Sequence, residues 1–217
     1  MIPVFKPAAA RAGVVAALAA SAGILLLTFA VTQGYTAGFD RLALESFTAL
    51  RGPLMDGFFL AGTWFGSSYV LLPAALLTIV ALIARRQWAA ARLLGLTYFG
   101  ASLTTWWLKT AVGRDRPDIL PMLLETRPAD LSFPSGHATH AAAFALALWL
   151  LTARHRPRLR IPAGIVLSAL VLMVAVSRLH LQVHWPSDVI AGLLVATLWA
   201  GLATAYARHV QAEGIAA

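Results

Sequence analysis

Polar side chains able to act on an anion fall into three short segments of a chain that is otherwise strongly apolar. The segments span residues 109–117, 133–137 and 177–188. Their candidate functional residues are Lys109, Arg116, Ser135, Gly136, His137, Arg178, His184 and Asp188. Each segment alone fits an ordinary structural role, such as a snorkelling interfacial anchor or a helix start with the Ser135 side chain as its cap. Together they indicate chemistry, because one sequence combines cations, free backbone donors and two imidazoles.

The cations and the helix start among these residues predict a phosphate-binding pocket. Lys109, Arg116 and Arg178 supply three positive charges, and a guanidinium matches the geometry of phosphate oxygens better than a point charge does. Ser135 and Gly136 precede an apolar stretch, where the free N–H groups and positive dipole end of a helix favour an anion. Such a pocket meets the main demand of phosphoryl transfer, which is to position the phosphate and neutralise its charge.

The two histidines and Asp188 add the groups that phosphoryl transfer needs beyond binding. His184 and Asp188 are four residues apart, within reach of a hydrogen bond that fixes the tautomer and leaves the other ring nitrogen free to attack. His137 can protonate the leaving oxygen and later deprotonate water. The sequence has no cysteine and no acidic cluster, so we expect no metal site and no other cofactor.

The composition of the chain predicts that helices in a membrane position these segments. Of 217 residues, 59% are hydrophobic and 12% are charged, about half the charged share of soluble domains. Six apolar stretches approach the roughly 20 residues needed to cross a bilayer. They are residues 12–33, 66–84, 88–108, 135–153, 161–178 and 188–207. We therefore expect an all-α bundle of six transmembrane helices, formed by residues 1–217 as a single membrane-embedded domain.

Two details complete this predicted architecture. Charged residues interrupt the segment 40–62, which we interpret as two short amphipathic helices at the membrane interface, with Asp40 capping one and Pro53 starting the other. The first span follows Lys6 and Arg11, as a signal peptide would. We expect an uncleaved helix instead, because its apolar core is too long and no clear cleavage site follows.

The distribution of charge predicts the orientation of the chain. With the N-terminus in the cytoplasm, the inner loops and termini carry ten of the 17 basic residues but one of the nine acidic residues. This bias places both termini in the cytoplasm and all three polar segments outside. The basic excess is divided among short loops, which argues against nucleic acid as a partner and leaves the lipid bilayer.

At these residues the sequence resembles the type 2 phosphatidic acid phosphatase (PAP2) superfamily. The signature of that family is K-x6-R-P, then P-S-G-H, then S-R-x5-H-x3-D. The chain contains Lys109-x6-Arg116-Pro117, Pro134-Ser135-Gly136-His137 and Ser177-Arg178-x5-His184-x3-Asp188. Every fixed position is filled in order, and the six-span layout extends the resemblance over nearly the whole chain.

The resemblance implies a role for each residue of the signature. It makes His184 the nucleophile that forms a phosphohistidine, Asp188 the group that orients it, and His137 the general acid. It makes phosphate ligands of the remaining positions, which are Lys109, Arg116, Ser135, Gly136 and Arg178. In this family no metal takes part.

The resemblance also implies a membrane lipid phosphate or pyrophosphate as the substrate. The candidates are undecaprenyl pyrophosphate, phosphatidylglycerol phosphate, phosphatidic acid and lipid A phosphates, among which the motifs do not choose. Two alternatives stay open. The same site could transfer phosphate from lipid to lipid, or the chain could be a non-catalytic six-helix transporter, which would place charged residues in mid-span.

Five further polar residues lie in or near the motifs but outside their fixed positions. Gln182 stands where relatives often have glycine, and it either contacts the substrate or faces solvent. His180 is expected to be structural or exposed, and His140 lies one turn beyond the predicted general acid. Arg114 and Asp115 are expected to pair with each other.

The loop 118–132 contains an apolar stretch that we interpret as a lid for lipid tails.

Overall fold

The computed structural model describes residues 7–119, 123 and 128–212. Most of the predicted lid lies outside the described residues. Within them the chain forms eight α-helices and three short 3-10 turns, and no strand. The helices are α1 (Pro7–Thr32), α2 (Ala37–Ser46), α3 (Pro53–Gly62), α4 (Ser68–Ala84), α5 (Trp88–Val112), α6 (Gly136–His155), α7 (Arg160–His180) and α8 (Pro186–Ala212). The all-α prediction is confirmed.

Each of the six apolar stretches corresponds to one long helix, but their suitability for crossing a membrane differs. Four helical segments are long and apolar enough to cross, namely Ala8–Thr32, Pro53–Ala84, Pro157–His180 and Pro186–Ala207. Helices α5 and α6 are as long but are not among these four. They contain polar side chains that face the protein interior, including the buried Thr97, Thr105 and Thr139.

The segment between the first two predicted spans differs from the prediction. Two short helices do form there, α2 and α3. However, α3 leads through a 3-10 turn and the extended residue Ser67 into α4, and the run Pro53–Ala84 qualifies as one apolar segment. The charge that suggested an interfacial helix, Asp56, pairs with His180 at 2.7 Å. This pairing reduces the cost of placing a carboxylate beside apolar residues.

Helix α8 is the most buried of the four apolar segments. Half of its apolar window is buried inside the protein, compared with 11–22% in the other three. Glycines allow close packing against it: a Cβ built on Gly13 in α1 would lie 2.8 Å from the carbonyl oxygen of Gly201. Large apolar side chains on the outer surface, such as Leu25, Leu77 and Val166, are exposed. This is the pattern expected of a bundle whose outer surface contacts lipid.

The three polar segments meet at one end of the bundle. The alternating directions of the helices bring the end of α5, the start of α6, the end of α7 and the start of α8 together. The start of α6 is fixed to α8 because the Ser135 N–H donates to the Asp188 carbonyl oxygen at 2.9 Å. Gly192 permits this approach, since a Cβ there would lie 2.8 Å from the Ser135 carbonyl oxygen. The fold thus gathers side chains that are far apart in sequence.

Candidate active site

A cavity of about 330 Å³ opens at this end of the bundle, and six of the eight predicted site residues line it. These six are Lys109, Arg116, Gly136, His137, Arg178 and His184. The other two, Ser135 and Asp188, are fully buried directly behind it. The structure therefore brings all the predicted residues together, with both imidazoles at one cavity.

His184 lies between a carboxylate and a guanidinium in the connection from α7 to α8. Its Nδ1 is 3.4 Å from Asp188 Oδ2, and its Nε2 is 3.2 Å from an Nη of Arg116. Asp188 itself is held by the Trp185 N–H at 2.8 Å and the Ser132 hydroxyl at 2.5 Å. Nε2 lies on the side of the ring away from the Asp188 carboxylate, and it therefore faces the guanidinium of Arg116.

The surroundings of His184 favour its neutral form. Burial and the positive charges of Arg116, Arg178 and Lys109 place the pKa of the His184 imidazole well below its usual value of 6.5. A neutral imidazole retains a lone pair on one nitrogen, which is the requirement for a nucleophile.

Two of the three predicted cations share one carboxylate, and the third has a different partner. Lys109 and Arg116 both pair with the carboxylate of Asp130, at 3.0 and 2.6 Å. Burial raises the pKa of Asp130, but the two cations outweigh this and lower it to about 2. Arg178 instead donates to the Thr63 hydroxyl at 2.5 Å. Among the described residues, its Nε is buried without a hydrogen-bond partner, so this guanidinium has a donor left for a ligand.

Ser135 occupies the N-cap position of α6, but its side chain does not act as a cap. Its hydroxyl makes no capping hydrogen bond and is buried without a partner within the described part of the chain. The prediction of a side-chain cap is therefore wrong. The free hydroxyl lies beside Gly136, which lines the cavity, and this suits an anion at the helix start.

Arg114 is a residue whose role the sequence interpretation missed. It does not pair with Asp115 as expected; it bridges Asp40 at 2.6 Å and Asp188 at 2.7 Å. Asp40 does not cap its own helix either, because its carboxylate accepts the N–H of Ser187 at the start of α8, at 2.9 Å. One signal was available: Asp40 is a carboxylate among apolar residues, and a buried charge requires a partner.

The remaining polar residues take structural positions or line the cavity. His180 is fully buried and pairs with Asp56, which fits the structural interpretation and excludes an exposed position. Gln182 is buried and donates to backbone carbonyls of α2 and α7. Its φ of 59° is left-handed, which explains why glycine suits this position. His140 lines the cavity and lies 3.3 Å from the Ser68 hydroxyl.

The chain is similar to known phosphatases. Residues 89–211 match the PAP2 superfamily. The chain is 28% identical over 179 residues to phosphatidylglycerophosphatase B of Bacillus subtilis (strain 168), which covers 80% of this chain and 86% of that protein. It is 45% identical over 73 residues to undecaprenyl-diphosphatase of Sulfolobus acidocaldarius, which covers 34% of this chain and 32% of that protein. For several other curated relatives the match spans about half of their length.

A solved structure shows the same fold. It is a transmembrane PAP2 type phosphatidylglycerolphosphate phosphatase from Bacillus subtilis, with a TM-score of 0.75 and 24% sequence identity. The superposition covers 92% of this chain and 96% of that one. The family match spans more than half of the chain, and these relatives are phosphatases. The chain is therefore a phosphatase, with membrane-spanning helices, that belongs to the PAP2 superfamily.

Proposed function

We propose that this phosphatase removes phosphate from a membrane lipid through a phosphohistidine formed at Nε2 of His184. The observation that supports this most strongly is the position of the His184 ring between Asp188 and Arg116, at a cavity that it shares with a second imidazole. One nitrogen faces a carboxylate that can hold its proton, and the other faces the cations that would bind phosphate.

The proposed reaction has two steps. First, Nε2 of His184 attacks phosphorus, the bond to the lipid oxygen breaks, and His137 gives that oxygen a proton. Asp188 accepts the hydrogen bond from Nδ1–H and stabilises the positive ring. Then water attacks phosphorus, His137 takes its proton, and the P–N bond breaks to release inorganic phosphate. Throughout, Lys109 and the two arginines of the signature neutralise the phosphate oxygens.

The phosphate ligands that we propose are Lys109, Arg116, Ser135, Gly136 and Arg178. Arg178 Nε and the Ser135 hydroxyl support this assignment, because both are buried polar groups without protein partners among the described residues. Groups of three or more His, Asp or Glu side chains that could hold a metal are not found in the part of the chain that the structure describes. We propose a mechanism in which protein cations do the work of a metal ion.

We propose a lipid phosphate or pyrophosphate as the substrate because the cavity lies at the end of apolar helices, where a lipid headgroup would be presented. The relatives act on phosphatidylglycerophosphate or undecaprenyl diphosphate by their names, and phosphatidic acid remains a candidate. We also propose a single domain with six membrane crossings in a bacterial cell membrane, both termini in the cytoplasm and the cavity facing outward.

The test is a phosphate-release assay with purified protein in mixed micelles, using phosphatidylglycerol phosphate, undecaprenyl pyrophosphate, phosphatidic acid and a lipid A phosphate. We expect release from at least one lipid, undiminished by EDTA, and loss by roughly 10³-fold or more in His184→Ala. His155→Ala removes an exposed histidine outside the cavity and is the matched control. Quenching in alkaline detergent, in which a phosphohistidine P–N bond survives, should trap labelled protein from radiolabelled substrate in the wild type and in His155→Ala but not in His184→Ala.

Other outcomes would point away from this function. Appearance of a new phosphorylated lipid without free phosphate would indicate lipid-to-lipid transfer. Near-normal release by His184→Ala would contradict the nucleophile, and strong loss in EDTA would contradict the metal-free mechanism.

A further inference from the structure

Asp130 is an acidic side chain at the cationic face of the cavity that the proposed reaction does not use. It lies five residues before Ser135 and lines the cavity together with Lys109 and Arg116. Its Oδ2 is 3.0 Å from Lys109 Nζ, and its Oδ1 is 2.6 Å from an Nη of Arg116. A single carboxylate thus spans two of the three predicted phosphate-binding cations.

The contacts of the two cations show which of their donors a phosphate would have to take. Lys109 also donates to the Leu131 carbonyl oxygen. Arg116 donates through Nε to the Asp130 carbonyl oxygen and through Nη1 to the Val183 carbonyl oxygen. These backbone contacts hold both side chains in place without the Asp130 carboxylate. Other N–H groups of Lys109 and Arg116 point at the Asp130 carboxylate. A phosphate bound at this face of the cavity would need the same N–H groups.

The accessibility of Asp130 fits an exchangeable partner better than a buried structural one. Its side chain is 57% exposed, whereas those of Lys109 and Arg116 are 13% and 5% exposed. A carboxylate with this much contact with solvent can leave its partners and remain hydrated. Lys109 and Arg116 are largely buried, and their pairing with Asp130 offsets part of the cost of burying their charges.

We propose that Asp130 acts as an internal competitor of phosphate: its carboxylate neutralises Lys109 and Arg116, and phosphate binds by replacing it. This inference rests on the proposed function and adds a residue that sets phosphate affinity. After displacement, the Asp130 carboxylate lies close to the bound phosphate. Repulsion between these two anions favours re-formation of the ion pairs with Lys109 and Arg116. Asp130 thereby weakens binding of substrate and promotes release of the inorganic phosphate product.

The test compares the affinity of the wild type and Asp130→Asn for inorganic phosphate, measured by calorimetric titration of the whole protein in detergent micelles. Asparagine keeps the shape of the side chain and the backbone contacts but removes the charge. We expect phosphate to bind Asp130→Asn about 3- to 10-fold more tightly, as the loss of two partly exposed ion pairs would give. Product inhibition by phosphate should strengthen by a similar factor.

The control is Glu45→Gln, which removes a carboxylate from the exposed Arg41–Glu45 pair on α2 and should leave phosphate affinity unchanged. Equal or weaker binding by Asp130→Asn would overturn the proposal and make Asp130 a clamp that holds the cations for the substrate. Asp130→Ala provides a second variant in which the same direction of change is required. Phosphate binding without hydrolysis of any lipid would refute the proposed function and leave this comparison valid.

Discussion

At the scale of single residues, His184 depends on two neighbours with opposite effects. Asp188 lies near one ring nitrogen and would stabilise a positive ring, while Arg116 lies near the other and disfavours it. Burial adds to the effect of the cations. The balance favours a neutral imidazole, so that the charge on the ring develops only when phosphorus is attached to it and the carboxylate can then stabilise it.

The first prediction concerns the protonation of His184. Because its pKa is lowered, the ring stays neutral as the pH falls through 6.5, where an exposed imidazole takes a proton. The unfolded chain binds that proton first, so this residue reduces the stability of the fold as the pH falls below 6.5. Imidazole ¹⁵N shifts of labelled protein, assigned with His184→Gln, measure this directly. Titration of His184 at or above 6.5 would contradict the prediction.

At the scale of elements, the site depends on how the start of α8 is held. Asp40 of α2 accepts both the N–H and the hydroxyl of Ser187, and Arg114 after α5 joins Asp40 to Asp188. Both carboxylates are fully buried. Asp40 of α2 and Arg114 after α5 therefore position the carboxylate that faces the proposed nucleophile, although neither of these two side chains lines the cavity.

The second prediction tests this positioning by replacing Arg114 with glutamine. The expected result is a fall in kcat of roughly 10- to 100-fold with little change in KM, as for other residues that orient catalytic groups. Lysine at position 114 should restore part of the activity, because it keeps the charge between the two carboxylates. Arg41→Gln removes an exposed arginine of α2 and serves as the control. A large rise in KM with unchanged kcat would instead indicate direct contact with the substrate.

At the scale of the whole molecule, the chain has two parts. The apolar helices are suited to the membrane, and the polar end of the bundle is suited to the membrane interface. Most of the residues in the apolar windows of Ala8–Thr32, Pro53–Ala84 and Pro157–His180 are not buried by the protein itself. Lipid can cover these surfaces. The cavity at one end is then accessible from one side of the membrane only, and the orientation of the chain decides which side that is.

The third prediction is the orientation, and the lack of cysteine in the sequence makes it simple to test. Tyr35→Cys places a thiol between α1 and α2, at an exposed position. Arg158→Cys places one between α6 and α7, also exposed. In intact cells a membrane-impermeant maleimide should label Tyr35→Cys alone, whereas lysed cells should allow labelling of both. The reverse pattern would place the cavity in the cytoplasm.

The residue motifs and the apolar stretches could be read from the sequence because both are local. The spacing of Lys109 and Arg116, and of His184 and Asp188, lies within single segments, and helix-length apolar runs identify the helices. These local patterns indicate the eight candidate site residues, and the structure places them around one cavity. They do not indicate which residue a charged side chain pairs with.

The partners of these charged residues follow from the packing of the helices, because ion pairs and hydrogen bonds depend on distance in space. Asp40 and Ser187 are 147 residues apart in the chain, and His180 and Asp56 are 124 apart. Nothing in a local pattern distinguishes Arg114 bound to Asp115 from Arg114 bound to two carboxylates on other helices. The amino-acid types define which groups are available for chemistry, and the packing of the helices defines which of them orient, neutralise or compete with one another.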